Sequence, residues 1–219
     1  MFQRFTVIFT LSLIVCFSTL EMISQDGTKG LREILQRRIT IVVNDIDEEL
    51  FLSTISRRTK VPLGFLQIRG ASGDPGNRKK SIAVRNGTVE QVLDRFVGED
   101  PRYKWVMIDG VVNVLPTDDA DIIKVLVSRV DLRDAAPEEA EFSILDLPDV
   151  RASLKNAGLS QTEMRTSFGA VQERSRFSLS AESVTLQEIL NQVVRSNFVG
   201  YWSLQFSGPN FEYVRLSLQ

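Results

Sequence analysis

The sequence predicts an α+β fold built from two similar small modules, each with the element order β-α-β-β-α-β-β and with its helices packed on one face of its sheet. Three observations support this prediction. A helical pattern that opens with a threonine cap occurs twice, a tryptophan follows each copy at the same distance, and short strand patterns flank both copies. We expect module 1 over residues 39–116 and module 2 over residues 122–219, after an amino-terminal signal segment.

Composition excludes several classes of function. The chain has 219 residues, of which 43% are hydrophobic and 25% are charged, and these values are ordinary for a folded protein. A formal net charge of −2 argues against general nucleic-acid binding, which depends on a strong positive field. The absence of histidine excludes histidine-based catalysis and histidine-ligated zinc, and the single cysteine excludes an internal disulfide. We therefore expect no cofactor and no metal.

Residues 1–20 have the pattern of a secretory signal, with a basic start, an apolar run and a polar exit. Cys16 and Ser18 provide the small residues for cleavage before Thr19. An uncleaved inner-membrane anchor stays open, although a helix over residues 5–20 would span about 24 Å of the ~30 Å hydrocarbon core. Lipidation of Cys16 is a third alternative. The segment predicts a periplasmic or otherwise extracytoplasmic protein.

The first elements can be assigned from their periodicity. Residues 27–38 predict a short amphipathic helix, residues 39–43 a β-branched strand, residues 48–58 a helix and residues 61–68 a further strand. The glycine-rich stretch 70–77 lacks the Gly-Lys-Ser/Thr ending of a phosphate loop and predicts a hairpin tip.

The two capped helices carry the duplication. Thr88 and Thr185 lie 97 positions apart (185 minus 88), and apolar residues follow each at i, i+3, i+4, i+7 and i+8 spacing. Gln91 and Glu188 stand three residues after the threonines, so each start fits a capping box. Strand patterns precede both helices, at residues 81–85 and 176–180.

A strand pair follows each helix. Trp105 and Trp202 each lie 17 positions after the capping threonine (105 minus 88, 202 minus 185). The dipeptide Asp109–Gly110 predicts a tight hairpin turn before the strand over residues 111–115. In the second copy, residues 207–210 predict the turn and residues 211–218 the returning strand.

The remaining part of module 2 is predicted less regularly. Residues 122–130 predict a strand, residues 131–141 an acidic linker or loop, and residues 162–169 a weaker strand. Residues 149–157 predict a short helix, with Pro148 near its start and Gly158 as its stop. The acidic run at residues 118–121 lacks EF-hand spacing and is interpreted as a solvated linker.

Five residues are candidates for an interaction site: Arg78, Lys79, Lys80, Trp105 and Trp202. The three basic residues are typical of a solvated loop, and an anion-binding patch is the alternative. The two tryptophans are typical of core anchors, and a ligand platform is the alternative.

Two stretches carry a family resemblance. Residues 41–52 (Ile-Val-Val-Asn-Asp-Ile-Asp-Glu-Glu-Leu-Phe-Leu) and residues 81–94 (Ser-Ile-Ala-Val-Arg-Asn-Gly-Thr-Val-Glu-Gln-Val-Leu-Asp) resemble the secretin and TonB short N-terminal domain family, as does the hairpin end at residues 111–116. The resemblance is best over residues 39–116 and weaker over 122–218. No outer-membrane barrel or secretin pore sequence follows, so it implies a free-standing periplasmic version. Family members mostly act as protein-contact or signalling modules without catalytic residues.

The sequence leaves three functions to compare. We expect a non-enzymatic interaction or scaffold module of the cell envelope, whose partner is an envelope protein or a second copy of the chain. The alternative is a periplasmic protein that binds a small ligand or an envelope polymer in a cleft lined by Tyr103, Trp105, Tyr201 and Trp202. An enzyme is not expected, because carboxylate pairs such as Glu48/Glu49 and Glu138/Glu139 have no spacing that singles them out.

Overall fold

The computed structural model describes residues 29–69, 79–118, 121–161, 176–196, 200–207 and 210–219. It shows a mixed α+β chain with helices and several sheets, as the sequence predicts. The predicted signal segment (1–20), the glycine-rich loop (70–77) and the weak strand (162–169) lie outside the described residues.

The first unit, residues 29–118, has the predicted element order. Residues 29–35 form helix α1, within the predicted 27–38. The elements that follow are β1 (Arg38–Ile46), α2 (Glu48–Thr59), β2 (Leu63–Leu66), β3 (Lys80–Thr88), α3 (Val89–Glu99), β4 (Tyr103–Ile108) and β5 (Val111–Pro116). The turn between β4 and β5 is the predicted one, with φ of 52° at Asp109 and 75° at Gly110.

The second unit, residues 121–219, contains one helix more than predicted. A 3₁₀ turn (Asp121–Lys124) precedes β6 (Leu126–Ala135), α4 (Pro137–Leu145), α5 (Pro148–Asn156), β7 (Ser160–Gln161), β8 (Phe177–Thr185), α6 (Leu186–Arg195), β9 (Tyr201–Ser207) and β10 (Tyr213–Leu218).

The prediction of an acidic linker over residues 131–141 is wrong. Strand β6 continues through Ala135, and α4 begins at Pro137 with the Glu139 carboxylate accepting a hydrogen bond from the Ala136 amide at 2.9 Å. Ala140 and Ile144 of α4 are buried. Glu138 and Glu139 therefore belong to the first turn of a helix, where negative charge is stabilising, while Asp131 and Asp134 lie on strand β6.

The strands form one central sheet and two separate ribbons, rather than one small sheet for each module. The central sheet has six strands in the order β4-β5-β2-β9-β10-β7, so each unit contributes three strands. The units meet where β2 pairs in parallel with β9. The pairs β1-β3 and β6-β8 form two-stranded antiparallel ribbons.

Two hydrophobic cores lie on opposite faces of the central sheet. Alternate residues of β5 divide between them: Val112 and Val114 pack with α1, α2 and α3, whereas Val111 and Leu115 pack with α4, α5 and α6. This alternation follows from the two-residue period of a strand. Each unit thus places its helices on its own face of the sheet. Within the described ranges, no helix is long and apolar enough to cross a membrane.

Both predicted capping boxes are present. The Thr88 hydroxyl accepts a hydrogen bond from the Gln91 amide at 3.1 Å, and the Gln91 side chain accepts one from the Thr88 amide at 3.0 Å. Thr185 and Glu188 make the same exchange, at 3.2 and 2.6 Å. These bonds satisfy amides that an uncapped helix would leave without partners.

Candidate interaction site at the edge of the central sheet

The joint between the two units is a short parallel strand pair. Leu63 to Leu66 of β2 lie opposite Tyr201 to Leu204 of β9. The Leu63 amide donates to the Gly200 carbonyl at 3.1 Å, and the Gln67 amide donates to the Leu204 carbonyl at 2.9 Å. In a parallel ladder these bonds place the backbone edges of Trp202 and Leu204 toward β2.

A glycine makes this joint possible. Gly64 lies opposite Trp202, and a Cβ atom added to Gly64 would stand 2.2 Å from Cε2 of the indole. The indole Nε1 donates a hydrogen bond to Oδ1 of Asn191 in α6 at 3.0 Å, which fixes the ring over the glycine. A side chain at position 64 would have to displace a ring that is fully buried.

The outer edge of β4 is the end of the central sheet on the side of the first unit. No other described strand pairs with this edge, since β4 ends the sheet. The Thr117 amide donates to the Arg102 carbonyl at 2.7 Å, so the hydrogen-bonded pairs of the hairpin continue at Lys104, Val106 and Ile108. The backbone N–H and C=O groups of Trp105 and Met107 consequently point outward.

Apolar side chains accompany this edge. Trp105 is half-buried, and Met107 has 37% of its surface exposed. The Trp105 indole donates a hydrogen bond to Oδ1 of Asp94 in α3 at 2.9 Å. Lys104 is the one charged residue of this strand, and β4 contains no proline and no bulge in its pairing with β5, so only one of the usual devices against strand addition is present.

The structure removes two of the five candidates from an exposed site. Trp202 is fully buried in the core beneath α6, as its interpretation as a core anchor predicts. Lys80 is 3% exposed and belongs to a buried ion cluster, so the expectation that it extends a solvated basic loop is wrong. Lys79 is exposed and contacts Asp45 at 3.2 Å. Arg78 lies outside the described residues, and Trp105 lies at the sheet edge.

The aromatic cleft that the alternative function requires does not form. Tyr103 and Tyr201 are buried in the core below α2 and α3, and Trp202 is buried on the opposite face of the sheet. Burial raises the pKa of both tyrosines, and the nearby charge of Glu48 adds to this at Tyr103. These residues therefore fill the two cores rather than lining one surface.

The buried ion cluster joins three elements of the first unit. The Lys80 ammonium lies 3.1 Å from Oε1 of Glu48 and 3.4 Å from Oδ2 of Asp100. The Tyr103 hydroxyl donates to Oε2 of Glu48 at 3.1 Å. Burial raises the pKa of Glu48, and the positive charge of Lys80 offsets part of this increase. Burial also acts to raise the pKa of Asp100, but hydrogen bonds from Arg102 and the charge of Lys80 outweigh it and hold that pKa at about 2.

Members of the two carboxylate pairs considered from the sequence make other contacts in the structure. Glu48 is held inside the ion cluster, while Glu49 accepts a hydrogen bond from the Gln219 side chain at 3.2 Å. Glu139 caps α4 and contacts Arg176 at 2.7 Å. The part of the chain that the structure describes contains no group of three or more acidic or cysteine residues able to hold a metal ion.

A polar groove lies between the amino end of α2 and the strands β2 and β9. Its volume is about 430 Å³, and its lining residues are Asp47, Glu49, Leu50, Phe65, Gln67 and Gln205. The side chain of Gln67 takes part in a hydrogen bond within the protein, because its Oε1 accepts from the Phe206 amide at 3.1 Å.

Sequence reasoning missed the residues that build the joint and the edge, namely Gly64, Met107 and Asp94. Gly64 carried a usable signal, because a glycine in the interior of an apolar strand indicates a close approach of another group. Comparisons with protein-family models, with curated protein sequences and with solved structures give no match to this chain.

Proposed function

We propose that this protein is an exported, non-enzymatic interaction module of the cell envelope that binds its partner at the outer edge of β4. The observation that supports this most strongly is the open, apolar edge of β4 at the end of a sheet that is itself assembled by strand addition. Strand addition to such an edge provides backbone hydrogen bonds for affinity and side-chain pockets for specificity.

A duplication of the unit is part of the proposal, and four repeated features support it. The helix caps at Thr88 and Thr185 are equivalent. Both tryptophan indoles donate to the residue 11 positions earlier, Asp94 or Asn191. Each ribbon has a bulge that contains an aspartate at positive φ, and the amide of this aspartate donates a hydrogen bond to a serine hydroxyl. In addition, the first amide of α3 donates to the carbonyl of the residue before β1, and the first amide of α6 donates to the carbonyl of the residue before β6. The bulge pairs are Asp45 with Ser81 (3.2 Å) and Asp134 with Ser178 (3.0 Å), and the helix pairs are Val89 with Arg37 (3.1 Å) and Leu186 with Val125 (2.9 Å).

Export and the envelope location rest on the sequence of residues 1–20 and on the resemblance to the secretin and TonB short N-terminal domain family. Intact-mass analysis of the protein recovered from envelope and cytosolic fractions tests this part. A mature product starting near Thr19 is expected, and a full-length cytosolic product would contradict export.

Site-specific photo-crosslinking in living cells tests the interaction itself. A photoreactive amino acid at Met107 is expected to trap a defined product, either a partner conjugate or a dimer of the chain. The matched control is Arg129 of β6, whose side chain is 66% exposed and which lies away from the central sheet. Equal yields at both positions, or no product at either, would contradict the proposal.

The polar groove supports a second candidate, binding of a small polar ligand or an envelope polymer. Its lining combines carboxylates and amides with the apolar side chains of Leu50 and Phe65, which fits a molecule with hydroxyl groups and an apolar face. A shift in melting temperature with oligosaccharide probes that disappears in Glu49→Gln would favour it. No shift with any probe, together with a crosslink at Met107, would leave the interaction module as the function.

A further inference from the structure

The joint between the units shows what the edge strand of a unit accepts. Strand β9 receives four residues of β2 in parallel, and the three that carry side chains, Leu63, Phe65 and Leu66, are all at most 1% exposed. The fourth is Gly64, which lies beneath the Trp202 indole. The joint is therefore an apolar strand with one glycine in register with a tryptophan.

Strand β4 is built in the same way as β9. Each follows a threonine-capped helix, each pairs antiparallel with the next strand, and each carries a tryptophan that donates to the residue 11 positions earlier. The shared hydrogen bond fixes the Trp105 ring relative to β4 as Trp202 is fixed relative to β9. The backbone edges of Trp105 and Met107 point outward from β4, as those of Trp202 and Leu204 point to β2.

The two strands differ in what lies beside them. Trp202 and Leu204 are fully buried in the core of the second unit, and β2 covers their backbone edge. Their counterparts Trp105 and Met107 are half-buried and 37% exposed, and no other described strand lies beside them. The residues that differ in exposure therefore lie at the edge that β2 covers on β9 and that no described strand covers on β4.

We propose that the outer edge of β4 binds an extended segment of a partner protein, parallel to β4, with the pattern apolar-Gly-apolar-apolar and with the glycine opposite Trp105. This inference rests on the proposed function and specifies its partner. The glycine is required because a Cβ under the indole would meet ring atoms at the distances seen at Gly64, 2.2 to 2.4 Å. The parallel direction and the apolar positions follow from the pairing of β2 with β9.

The chain supplies a probe for this edge. A fluorescent peptide with the sequence of residues 61–69, Val-Pro-Leu-Gly-Phe-Leu-Gln-Ile-Arg, is titrated with the purified full chain, whose own β9 edge is already occupied by β2. Saturable binding at or below about 1 mM is expected, with a blue shift of the Trp105 emission. The same peptide with valine in place of glycine is expected to bind at least about tenfold more weakly.

Two variants at one position complete the test. Met107→Pro removes the outward N–H group without removing a hydrogen bond to β5, so we expect it to weaken peptide binding at least about tenfold. Met107→Val keeps that N–H group and is expected to stay within about threefold of wild type. Circular dichroism and thermal melting of both variants verify that the fold is retained.

Several results would overturn the inference: no binding of the glycine peptide at about 1 mM, glycine and valine peptides within about threefold of each other, or Met107→Pro equal to Met107→Val. These failures are distinguishable from failure of the proposed function. Crosslinking in cells at Met107 with no peptide selectivity would refute the glycine-containing parallel strand and leave the interaction module intact. Absence of crosslinking would refute both.

Discussion

Replacing Lys80 with methionine removes the cation from the buried cluster of the first unit while keeping a side chain of similar length. Lys80 lies 3.1 Å from Glu48 and 3.4 Å from Asp100, and its ammonium stands 5.2 Å from the centre of the Phe96 ring. At an effective dielectric constant of about 20, each ion contact contributes about 5 kcal/mol of gross attraction. The substitution also removes the cost of burying the ammonium, which is several kcal/mol.

We therefore expect Lys80→Met to lower the free energy of unfolding by about 3–5 kcal/mol at pH 7, the usual effect of leaving a buried charge without its partner. Urea denaturation followed by tryptophan fluorescence measures this change. Lys79→Met is the matched control, because Lys79 is 55% exposed and its partner Asp45 is 76% exposed. Such a surface pair contributes at most about 1 kcal/mol.

The effect should depend on pH in a defined direction. The folded-state pKa of Glu48 lies above its ordinary value of 4.5, so ionised Glu48 costs stability above that pH, and removing Lys80 increases this cost. The deficit of Lys80→Met should therefore shrink as the pH falls toward about 4, where Glu48 binds a proton. A deficit under about 1 kcal/mol, equal to that of Lys79→Met, would refute the buried cluster.

Three further predictions concern the cluster, the caps and the joint. The pKa of Asp100 is about 2 against an ordinary 3.8, so its ionised form adds stability above about pH 4, and this stability is lost as the pH falls through 2. In an acid titration of the free energy of unfolding, the wild type should therefore lose about 2 kcal/mol more than Asp100→Asn. Equal losses in the two proteins would contradict this. Thr88→Ala and Thr185→Ala should each cost about 1 kcal/mol in urea unfolding, whereas serine substitutions at the same positions should cost little; equal effects of alanine and serine would exclude capping. Gly64→Ala should cost about 1–3 kcal/mol because its Cβ collides with Trp202, and this cost should fall in a Trp202→Leu background; strict additivity in the double-mutant cycle would show that the two residues do not contact.

Features set by neighbours in sequence were predictable. The capping boxes at Thr88 and Thr185 depend on residues three positions apart, and the hairpin at Asp109–Gly110 depends on two residues that tolerate positive φ. The element order of the first unit follows from the period of its apolar residues for the same reason. Local patterns of this kind are contained in a short window of sequence.

Features set by distant partners were not predictable. The short apolar run in β2 indicates a strand, but it does not say that the neighbours of this strand are β5 and β9. The burial of Lys80 depends on Glu48 and Asp100, which are brought together only by the packing of α2 and α3. Helix α4 was missed because acidic residues in its first turn have the composition of a loop, and its buried Ala140 and Ile144 give a weak periodic signal.

The open edge of β4 could not be inferred from sequence for the same reason. Trp105 and Trp202 have equivalent positions in the sequence pattern, yet one is half-buried and the other fully buried. Strand β2 pairs with β9, whereas no described strand lies beside β4. The proposed interaction site is therefore a property of the assembled sheet rather than of a motif.

Residue-resolved amide hydrogen exchange of the full chain, free and with the peptide of residues 61–69, tests the open edge most directly. In the free protein, the amides of Trp105 and Met107 should exchange rapidly, while those of Lys104, Val106 and Ile108 should be protected by β5. The peptide should slow exchange at Trp105 and Met107 and leave the other three unchanged. Protection of Trp105 and Met107 in the free chain, or slowing by the peptide at other strands instead, would contradict the assignment of β4 as the binding edge.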